Sequence, residues 1–167
     1  MTELQFNFGT KHDNSNWRIV NDGVMGGLST SLLKTFDNSI LFSGTTSLKN
    51  NGGFASIRTY FDQGALDGSK TMTIRYRSNS DKREFGISLK DSQRYYIPYY
   101  KFTFTPKTKD WEEITVALKD FKHVRLSQTI GSQMPSDFLK EAYSIVLIVG
   151  DKKAGDFDIE IDYIKFN

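Results

Sequence analysis

Hydrophobic and polar residues alternate in short stretches of this chain, with the two-residue period of a β-strand that has one buried and one wet face. The clearest stretches are 71–77, 85–90, 113–119 and 157–162. Clusters of Asn, Asp, Ser and Gly separate them and are typical of turns. Many short strands at this spacing predict an all-β fold, a sandwich or barrel.

Three segments depart from simple alternation. Ile145–Val149 is apolar throughout, which favours a strand covered on both faces. In the last strand the apolar set moves from odd positions 157–161 to positions 164 and 166, which predicts a β-bulge or bend near Asp162-Tyr163. Segment 135–143 is the one candidate for a short helix, with Ser136 as a possible cap.

Length and composition favour a single domain over residues 1–167, since no repeat or Pro/Gly linker divides the 167 residues. The chain has no cysteine, which excludes disulfides, a thiolate nucleophile and any Cys-containing metal site. No window approaches the ~20 apolar residues of a membrane span. The start resembles neither a signal peptide nor an import leader, so we expect a cytoplasmic protein.

The charge is unevenly distributed although the net charge is only +2. Between Lys70 and Arg125 there are thirteen Lys/Arg and seven Asp/Glu residues. This asymmetry indicates a basic patch, below the density of a dedicated nucleic-acid-binding protein.

The glycine-rich segment 17–29 (WRIVNDGVMGGLS) invites comparison with phosphate-binding loops. Such loops run directly into a helix and in P-loops carry a Lys, whereas Leu28 here begins a β-favouring stretch. A structural corner is the favoured interpretation, with Trp17 and Met25 packed inward and Gly26 and Gly27 allowing strands to cross closely. Gly26→Val is then expected to destabilise the fold by strain or overpacking.

Three acidic residues, Asp158, Glu160 and Asp162, fall on one face of the last strand, with neighbours roughly 7 Å apart. They are weak candidates for one side of a calcium site, which needs several converging oxygens. Equally, they suit the solvated face of an edge strand. No other metal or cofactor is indicated.

The two histidines, His12 and His123, lie far apart in sequence, and no Gly-x-Ser-x-Gly motif is present. A catalytic triad can have any chain order, so sequence alone leaves it open. Nothing in the residues favours one, and we expect no enzymatic activity.

An aromatic cluster spans 94–104 (RYYIPYYKFTF). In an extended chain Tyr95 and Tyr99 would face one way, and Tyr96 and Tyr100 the other. Exposed tyrosines suit a partner protein or a sugar ring, and with Arg94 also a single-stranded nucleic acid. The alternative is that half of these rings belong to the core.

Taken together, several motifs resemble the complex I intermediate-associated protein 30 family. They are Trp17, Asn21-Asp22, Met25-Gly26-Gly27-x-Ser29, Leu41–Gly44, Gly52-Gly53-Phe54 through Arg58, Asp91–Tyr96, Trp111 and Gly155–Ile164. Two departures, Ser92-Gln93 and Ala117-Leu118, affect local strand or turn geometry.

This resemblance implies a galactose-binding-like jelly-roll β-sandwich of two antiparallel sheets and a non-enzymatic role. Members act as assembly factors, so another protein, held in a chaperone-like way, is the expected partner. Carbohydrate recognition through exposed Tyr or Trp is the alternative, and nucleic acid is unlikely on charge. The candidate partner or ligand surface comprises Arg94, Tyr95, Tyr96, Tyr99, Tyr100 and Trp111. The chain is similar to a small, free-standing bacterial member.

Overall fold

The computed structural model describes residues 3–12, 16–80 and 82–167, which form thirteen strands and one α-helix. The strands are β1 (Gln5–Asn7), β2 (Arg18–Ile19), β3 (Thr30–Thr35), β4 (Ile40–Thr46), β5 (Ala55–Tyr60), β6 (Thr71–Arg77), β7 (Phe85–Lys90), β8 (Tyr99–Phe104), β9 (Glu112–Ala117), β10 (Lys122–Arg125), β11 (Gln128–Ser132), β12 (Ser144–Val149) and β13 (Gly155–Phe166). Residues 1–2, 13–15 and 81 lie outside this description.

The strands form two antiparallel sheets, which confirms the all-β sandwich expected from the alternation. The first sheet has the order β3-β4-β13-β6-β9, with β1 paired to β13. The second sheet has the order β11-β10-β8-β7-β12-β5-β2. Their inner faces share one core, in which Phe42, Ile57 and Ile87 are fully buried.

The helix α1 (Phe138–Glu141) lies within the segment predicted to be helical but is only one turn long. Asp137 rather than Ser136 stands at its N-terminus, and no side chain caps it. Burial of Phe138 and Leu139 holds the turn against the core. In the described ranges, no helix is long and apolar enough to cross a bilayer.

Strand β12 is covered on both faces, as its unbroken apolar sequence predicts. It lies between β5 and β7, and Ile145, Leu147 and Val149 belong to the core. Val146 points the other way yet is only 3% exposed. Side chains of neighbouring strands must therefore lie over it on the outer face.

The predicted bulge in β13 is present. Ile161 pairs with Tyr76, but Tyr163 pairs with Arg75, which leaves Asp162 as the extra residue. Its carbonyl accepts a hydrogen bond from the Phe8 backbone N–H (2.9 Å). The bulge therefore keeps both halves of β13 directed at the core and anchors the chain after β1.

The glycine-rich corner is organised around the carboxylate of Asp22, which is fully buried. Oδ1 accepts a hydrogen bond from the Ser29 N–H (3.0 Å). Oδ2 accepts from the Gly53 and Phe54 N–H groups (2.6 and 3.2 Å) and from the Ser29 hydroxyl. Because Ser29 leads into β3 and Phe54 into β5, one carboxylate joins the two sheets.

Burial alone raises the pKa of Asp22, because it disfavours the charged form. The hydrogen bonds from the Ser29 hydroxyl and from the Gly53, Ser29 and Phe54 amides outweigh that effect and lower the pKa. The carboxylate is therefore ionised in the folded protein at neutral pH, and its charge is neutralised by donors rather than by a cation.

Two glycines make room for this carboxylate. A Cβ on Gly27 would lie 2.4 Å from Asp22 Cγ, and one on Gly52 would lie 2.6 Å from Asp22 Oδ2. Asn21 supports the corner from the next position, since its Oδ1 accepts a hydrogen bond from the Ser31 hydroxyl (2.9 Å). The close approach expected of a glycine here occurs at Gly27 and Gly52.

The structure confirms one of the two inward side chains predicted for this corner. Trp17 packs against the core, with ring centroids 5.4 Å from Phe6 and 5.2 Å from Phe8. Met25 is 64% exposed, so its predicted inward packing is wrong. Gly26 has φ +83° and open space where a Cβ would stand, so backbone conformation rather than close packing requires glycine there.

Asp22→Asn should destabilise the fold by about 3 kcal/mol or more. The side-chain NH2 group of Asn would replace a carboxylate oxygen, so that its N–H donors would face buried backbone N–H donors. Urea unfolding at pH 7 measures this, with the exposed Asp110→Asn as the matched control. Because the native pKa is lowered, the advantage of wild type should shrink as pH falls below about 4. A variant as stable as wild type at pH 7 would contradict the role given to Asp22.

Gly26→Val should cost about 1–3 kcal/mol through backbone strain alone, since nothing crowds the site. Gly26→Asn should cost less, because Asn tolerates the left-handed region. Gly27→Ala should be at least as damaging as Gly26→Val, because its methyl group would collide with Asp22. Thermal melts of the three variants test this order, and equal losses for Asn and Val at position 26 would refute it.

Candidate binding face

The outer face of the second sheet is the surface with the most unusual chemistry. Alternate residues of its central strands point away from the core and form what we call the outer face. They are Ser56, Arg58 and Tyr60 of β5, Val146 and Ile148 of β12, Gly86, Ser88 and Lys90 of β7, Tyr99, Lys101 and Thr103 of β8, and Lys122 and Val124 of β10.

The central strands carry four cations on this face, Arg58, Lys90, Lys101 and Lys122. Arg18 of the edge strand β2 lies opposite Arg58 and contacts the Tyr60 ring. Within the described residues the ion pairs are Arg75–Asp162, Arg77–Glu160, Arg83–Asp151 and Lys140–Asp137, and none of them involves the outer face. The face therefore carries positive charge that no carboxylate of the described chain neutralises at short range.

Three of these cations are partly withdrawn from water. Burial, together with the charges of Arg58 and Lys101, lowers the pKa of Lys90 to about 8. Burial also lowers the pKa of Lys101, although Glu84 raises it, and burial is the main cause that lowers the pKa of Arg58. Their mutual repulsion is a cost that a bound anion would relieve.

Arg58 and Lys90 use few of their hydrogen-bond donors within the described chain. Arg58 Nε is buried and has no hydrogen-bond partner in the described chain, and Nη2 lies 3.5 Å from the Ser56 hydroxyl. Lys90 Nζ lies 4.7 Å from the centroid of the Tyr99 ring, a cation–π contact.

Gly86 determines how Lys101 lies on the sheet. A Cβ at position 86 would be 2.4 Å from Lys101 Cε and 3.3 Å from Ile148 Cγ2. The absence of a side chain lets the lysine stem lie flat across the strand and cover apolar surface, while its ammonium stays on the face.

A groove of about 550 Å³ opens at one end of this face. Tyr99, Lys101 and Ile148 form part of its floor. One wall is the Asp22 corner and the 48–54 loop, and the other is the hairpin of β10 and β11. Both walls are loop or edge elements, while the floor is a rigid sheet.

Exposed apolar side chains lie on the loops that form one wall of this groove. We call Val24, Met25, Leu28 and Leu48 the apolar rim; each is at least 46% exposed. Met25 and Leu48 line the groove directly. A cluster of exposed apolar side chains beside a cleft is typical of a protein-interaction site.

The structure separates the aromatic residues predicted to form one surface. Tyr95 and Tyr96 are exposed with Arg94 in the turn before β8, and Tyr99 lies on the outer face. Tyr100 is only 8% exposed and packs in the core, so its place in a binding surface is wrong. The extended strand begins at Tyr99, because the preceding residues turn, with the Ile97 N–H bonded to the Arg94 carbonyl.

Trp111 lies with the first sheet, away from these tyrosines. The guanidinium groups of Arg75 and Arg77, both in β6, lie 4.4 and 4.8 Å from its ring centroid. These cations also pair with acidic residues of β13. The indole therefore forms part of an internally satisfied surface rather than an open platform.

The acidic residues proposed as weak calcium ligands serve other partners. Asp158 Oδ1 accepts a hydrogen bond from the Asn79 N–H (2.7 Å), Glu160 pairs with Arg77 (2.9 Å) and Asp162 with Arg75 (2.7 Å). Residues 3–12, 16–80 and 82–167 contain no cluster of three or more metal-ligating side chains. Strand β13 lies between β4 and β6, so it is not an edge strand, although the three acidic side chains do lie on a partly solvated face.

Neither histidine donates a hydrogen bond to Asp22 in the described residues, so they form no catalytic arrangement with it. His12 is exposed, and His123 stacks on Tyr100 with ring centroids 4.6 Å apart. All hydrogen bonds that Asp22 Oδ1 and Oδ2 accept come from Ser29, Gly53 and Phe54.

The sequence patterns did not predict that Arg58, Lys90 and Lys122 lie on one face of a sheet. The excess of Lys and Arg between residues 70 and 125 indicated a basic patch, but Arg58 lies outside that stretch. Alternation does place Lys90 and Lys101 opposite the core-facing residues of their strands. Only the pairing of β5 with β12 and of β12 with β7 places Arg58 on the same face.

Comparison with known proteins gives both a family and a fold. The family "Complex I intermediate-associated protein 30 (CIA30)" matches residues 6–161. The mouse (Mus musculus) protein "Complex I intermediate-associated protein 30, mitochondrial" is 27% identical over 176 residues, which cover 94% of this chain and 53% of the mouse protein. The chain therefore spans about half the length of this relative.

Among solved structures, the family 11 carbohydrate-binding module from Clostridium thermocellum, in complex with a β-1,3-1,4-mixed-linked tetrasaccharide, superposes with a TM-score of 0.68 at 15% identity, covering 97% of this chain and 94% of the module. An agarase, AgWH50C, superposes over 100% of this chain and 25% of its own, with a TM-score of 0.63 at 10% identity. At these identities the likeness concerns the fold alone. Because the family match covers almost all of the sandwich, the chain belongs to the complex I intermediate-associated protein 30 family.

Proposed function

We propose that this chain is a non-enzymatic binding module that holds a partner protein in the groove of the second sheet. The observation that carries the proposal is the apolar rim, in which Met25 and Leu48 are exposed beside the groove. A cluster of exposed apolar side chains beside a cleft is typical of a protein-interaction site, whereas single exposed ones are common on any surface.

The rim is placed by rigid structure, which suits specific binding. Met25 follows Asp22 by three residues, and Asn50 Nδ2 donates a hydrogen bond to the Gly26 carbonyl (3.2 Å), tying the two loops together. Because the loops are held before a partner arrives, little ordering entropy has to be overcome on binding.

The kind of partner is suggested by the family. The name of the mouse relative associates it with intermediates of complex I. For this chain we infer an assembly-factor or chaperone-like role, in which a subunit of a membrane complex is held before its incorporation. This step extrapolates from family membership and needs its own test.

Carbohydrate binding is the second candidate. It is favoured by Tyr99, which is partly exposed on the outer face, and by the fold shared with a carbohydrate-binding module solved with a tetrasaccharide. A neutral sugar would leave the four cations of the face unmatched, which makes a protein partner the better fit. Calorimetric titration with the mixed-linked tetrasaccharide distinguishes the two, since measurable binding would favour the sugar.

Met25→Asp combined with Leu48→Asp should reduce partner binding by about tenfold or more, because charged groups would replace apolar contacts at the rim. Quantitative affinity purification from cells that assemble complex I measures the recovery of complex I subunits. Both side chains are exposed, so the melting temperature should change little.

Leu32→Asp is the matched control, because Leu32 is 55% exposed on β3 of the first sheet, away from the groove. It should retain the subunits that wild type recovers. Failure of wild type to enrich any complex I subunit, or equal recovery by the double variant, would refute the proposal.

A further inference from the structure

The cations Arg58, Lys90 and Lys101 lie on the outer face beside Tyr99. Tyr99 and Lys101 line the groove, whereas Arg58 and Lys90 continue the face beyond its lining. We propose that they form an anion-recognition site that takes carboxylate side chains from an acidic segment of the partner protein. The inference rests on the proposed function, since it names the chemistry of the segment that the groove would hold.

The three cations are brought together by strand pairing. Arg58 stands opposite Val146 on β12, Val146 opposite Ser88 on β7, and Ser88 opposite Lys101 on β8. The Lys101 stem lies over Gly86 rather than over Ser88, and the charges of Arg58 and Lys101 both act on Lys90, whose pKa they lower. Lys90 follows Ser88 on the same face of β7, beside both cations.

A comparison with Arg83 shows what a fully satisfied arginine looks like in this fold. Arg83 is 4% exposed and forms a two-point ion pair with Asp151, with N–O distances of 2.9 and 3.0 Å. It also donates to the carbonyls of Gly155, Asp156 and Lys153. Arg58 has a single long contact with Ser56 and a buried Nε without a partner in the described chain.

The chemistry of the three groups suits carboxylates. A guanidinium offers a planar pair of donors that matches the two oxygens of a carboxylate, and the ammonium groups add point charges. A bound carboxylate would supply the ion pair that these partly buried cations lack in the described chain. The expected segment therefore carries Glu or Asp for the cations and apolar side chains for the rim.

Two features favour an acidic protein segment over a uniform polyanion such as a nucleic acid. The apolar rim offers nothing to a phosphate backbone. The net charge of +2 is also low for a nucleic-acid-binding domain.

Binding should depend on pH through Lys90. Facing it are Arg58 of β5, Lys101 and the Tyr99 ring of β8, and Ser144 of β12. Its pKa is lowered to about 8, chiefly by burial, so it is mostly protonated at pH 7 and mostly neutral at pH 9. A bound carboxylate stabilises the protonated form, so affinity should fall about three- to fivefold from pH 7 to pH 9.

The test uses the full chain and a fluorescein-labelled octapeptide of alternating Glu and Leu, followed by anisotropy at low salt. Lys90→Gln should weaken binding about fivefold or more at pH 7 and remove most of the change between pH 7 and pH 9. Arg58→Gln should weaken binding at both pH values. Thermal melts confirm that each variant is folded.

The matched control is Lys165→Gln. Lys165 Nζ lies 4.3 Å from the Tyr163 ring on the first sheet, a cation–π contact like that of Lys90 with Tyr99. This variant should bind the peptide as wild type does. Equal binding of a Gln/Leu octapeptide, or equal losses for Lys90→Gln and Lys165→Gln, would overturn the proposal. So would tighter Lys90-dependent binding of an oligothymidylate, which would identify a polyanion site instead.

The anion site and the proposed function can fail separately. If Lys90→Gln and Arg58→Gln recover complex I subunits as wild type does while the Met25/Leu48 double variant loses them, the anion site is refuted and the binding module stands. If the peptide binds through Lys90 but wild type recovers no subunit, the anion site stands and the assembly role fails.

Discussion

The buried carboxylate of Asp22 is the constraint on which this end of the sandwich depends. It gathers donors from the loop before β3, at the edge of the first sheet, and from the start of β5, in the second. An ionised group without a cationic partner is stable in the interior only when donors surround it. The glycines at 27 and 52 follow from that requirement, because a side chain at either position would occupy the space of the carboxylate. The same arrangement fixes one wall of the groove, so the glycine-rich corner and the candidate binding face belong to one structure.

Local patterns in the sequence were sufficient for the strands and even for the irregularity in β13. The alternation shifts by one residue near Asp162, and a bulge is the backbone's direct response to that shift. Patterns could not assign Met25, because inward and outward positions in a turn depend on which other loop packs there. Alternation separated Tyr100 from Tyr99 but did not determine which of the two faces is buried. The run of aromatic residues before β8 suggested one continuous strand, yet a turn ends at Ile97 and brings only part of it into the sheet. The cations of the outer face come from separate strands, so their proximity is a property of topology rather than of any segment.

The two sheets differ in whether their basic side chains are paired with carboxylates. On the first sheet, Arg75 and Arg77 of β6 are paired with Asp162 and Glu160 of β13. Cross-strand pairs of this kind neutralise a surface and leave it with little attraction for a charged partner. On the second sheet, Arg58 and Lys90 lack such carboxylates in the described part of the chain. This asymmetry distinguishes the candidate binding face from the rest of the described surface more clearly than aromatic content does.

Gly86 is a position at which a single substitution could change this face during evolution. The residue has no functional group, but its bare backbone is what allows Lys101 to lie flat across β7. A single methyl group at this position would lift the lysine stem and redirect its ammonium without altering any charge in the protein. A substitution at position 86 could thus change which ligand this fold prefers, although the residue there is neither charged nor aromatic. Differences between family members should therefore be sought at positions that support the charged side chains as well as at those side chains themselves.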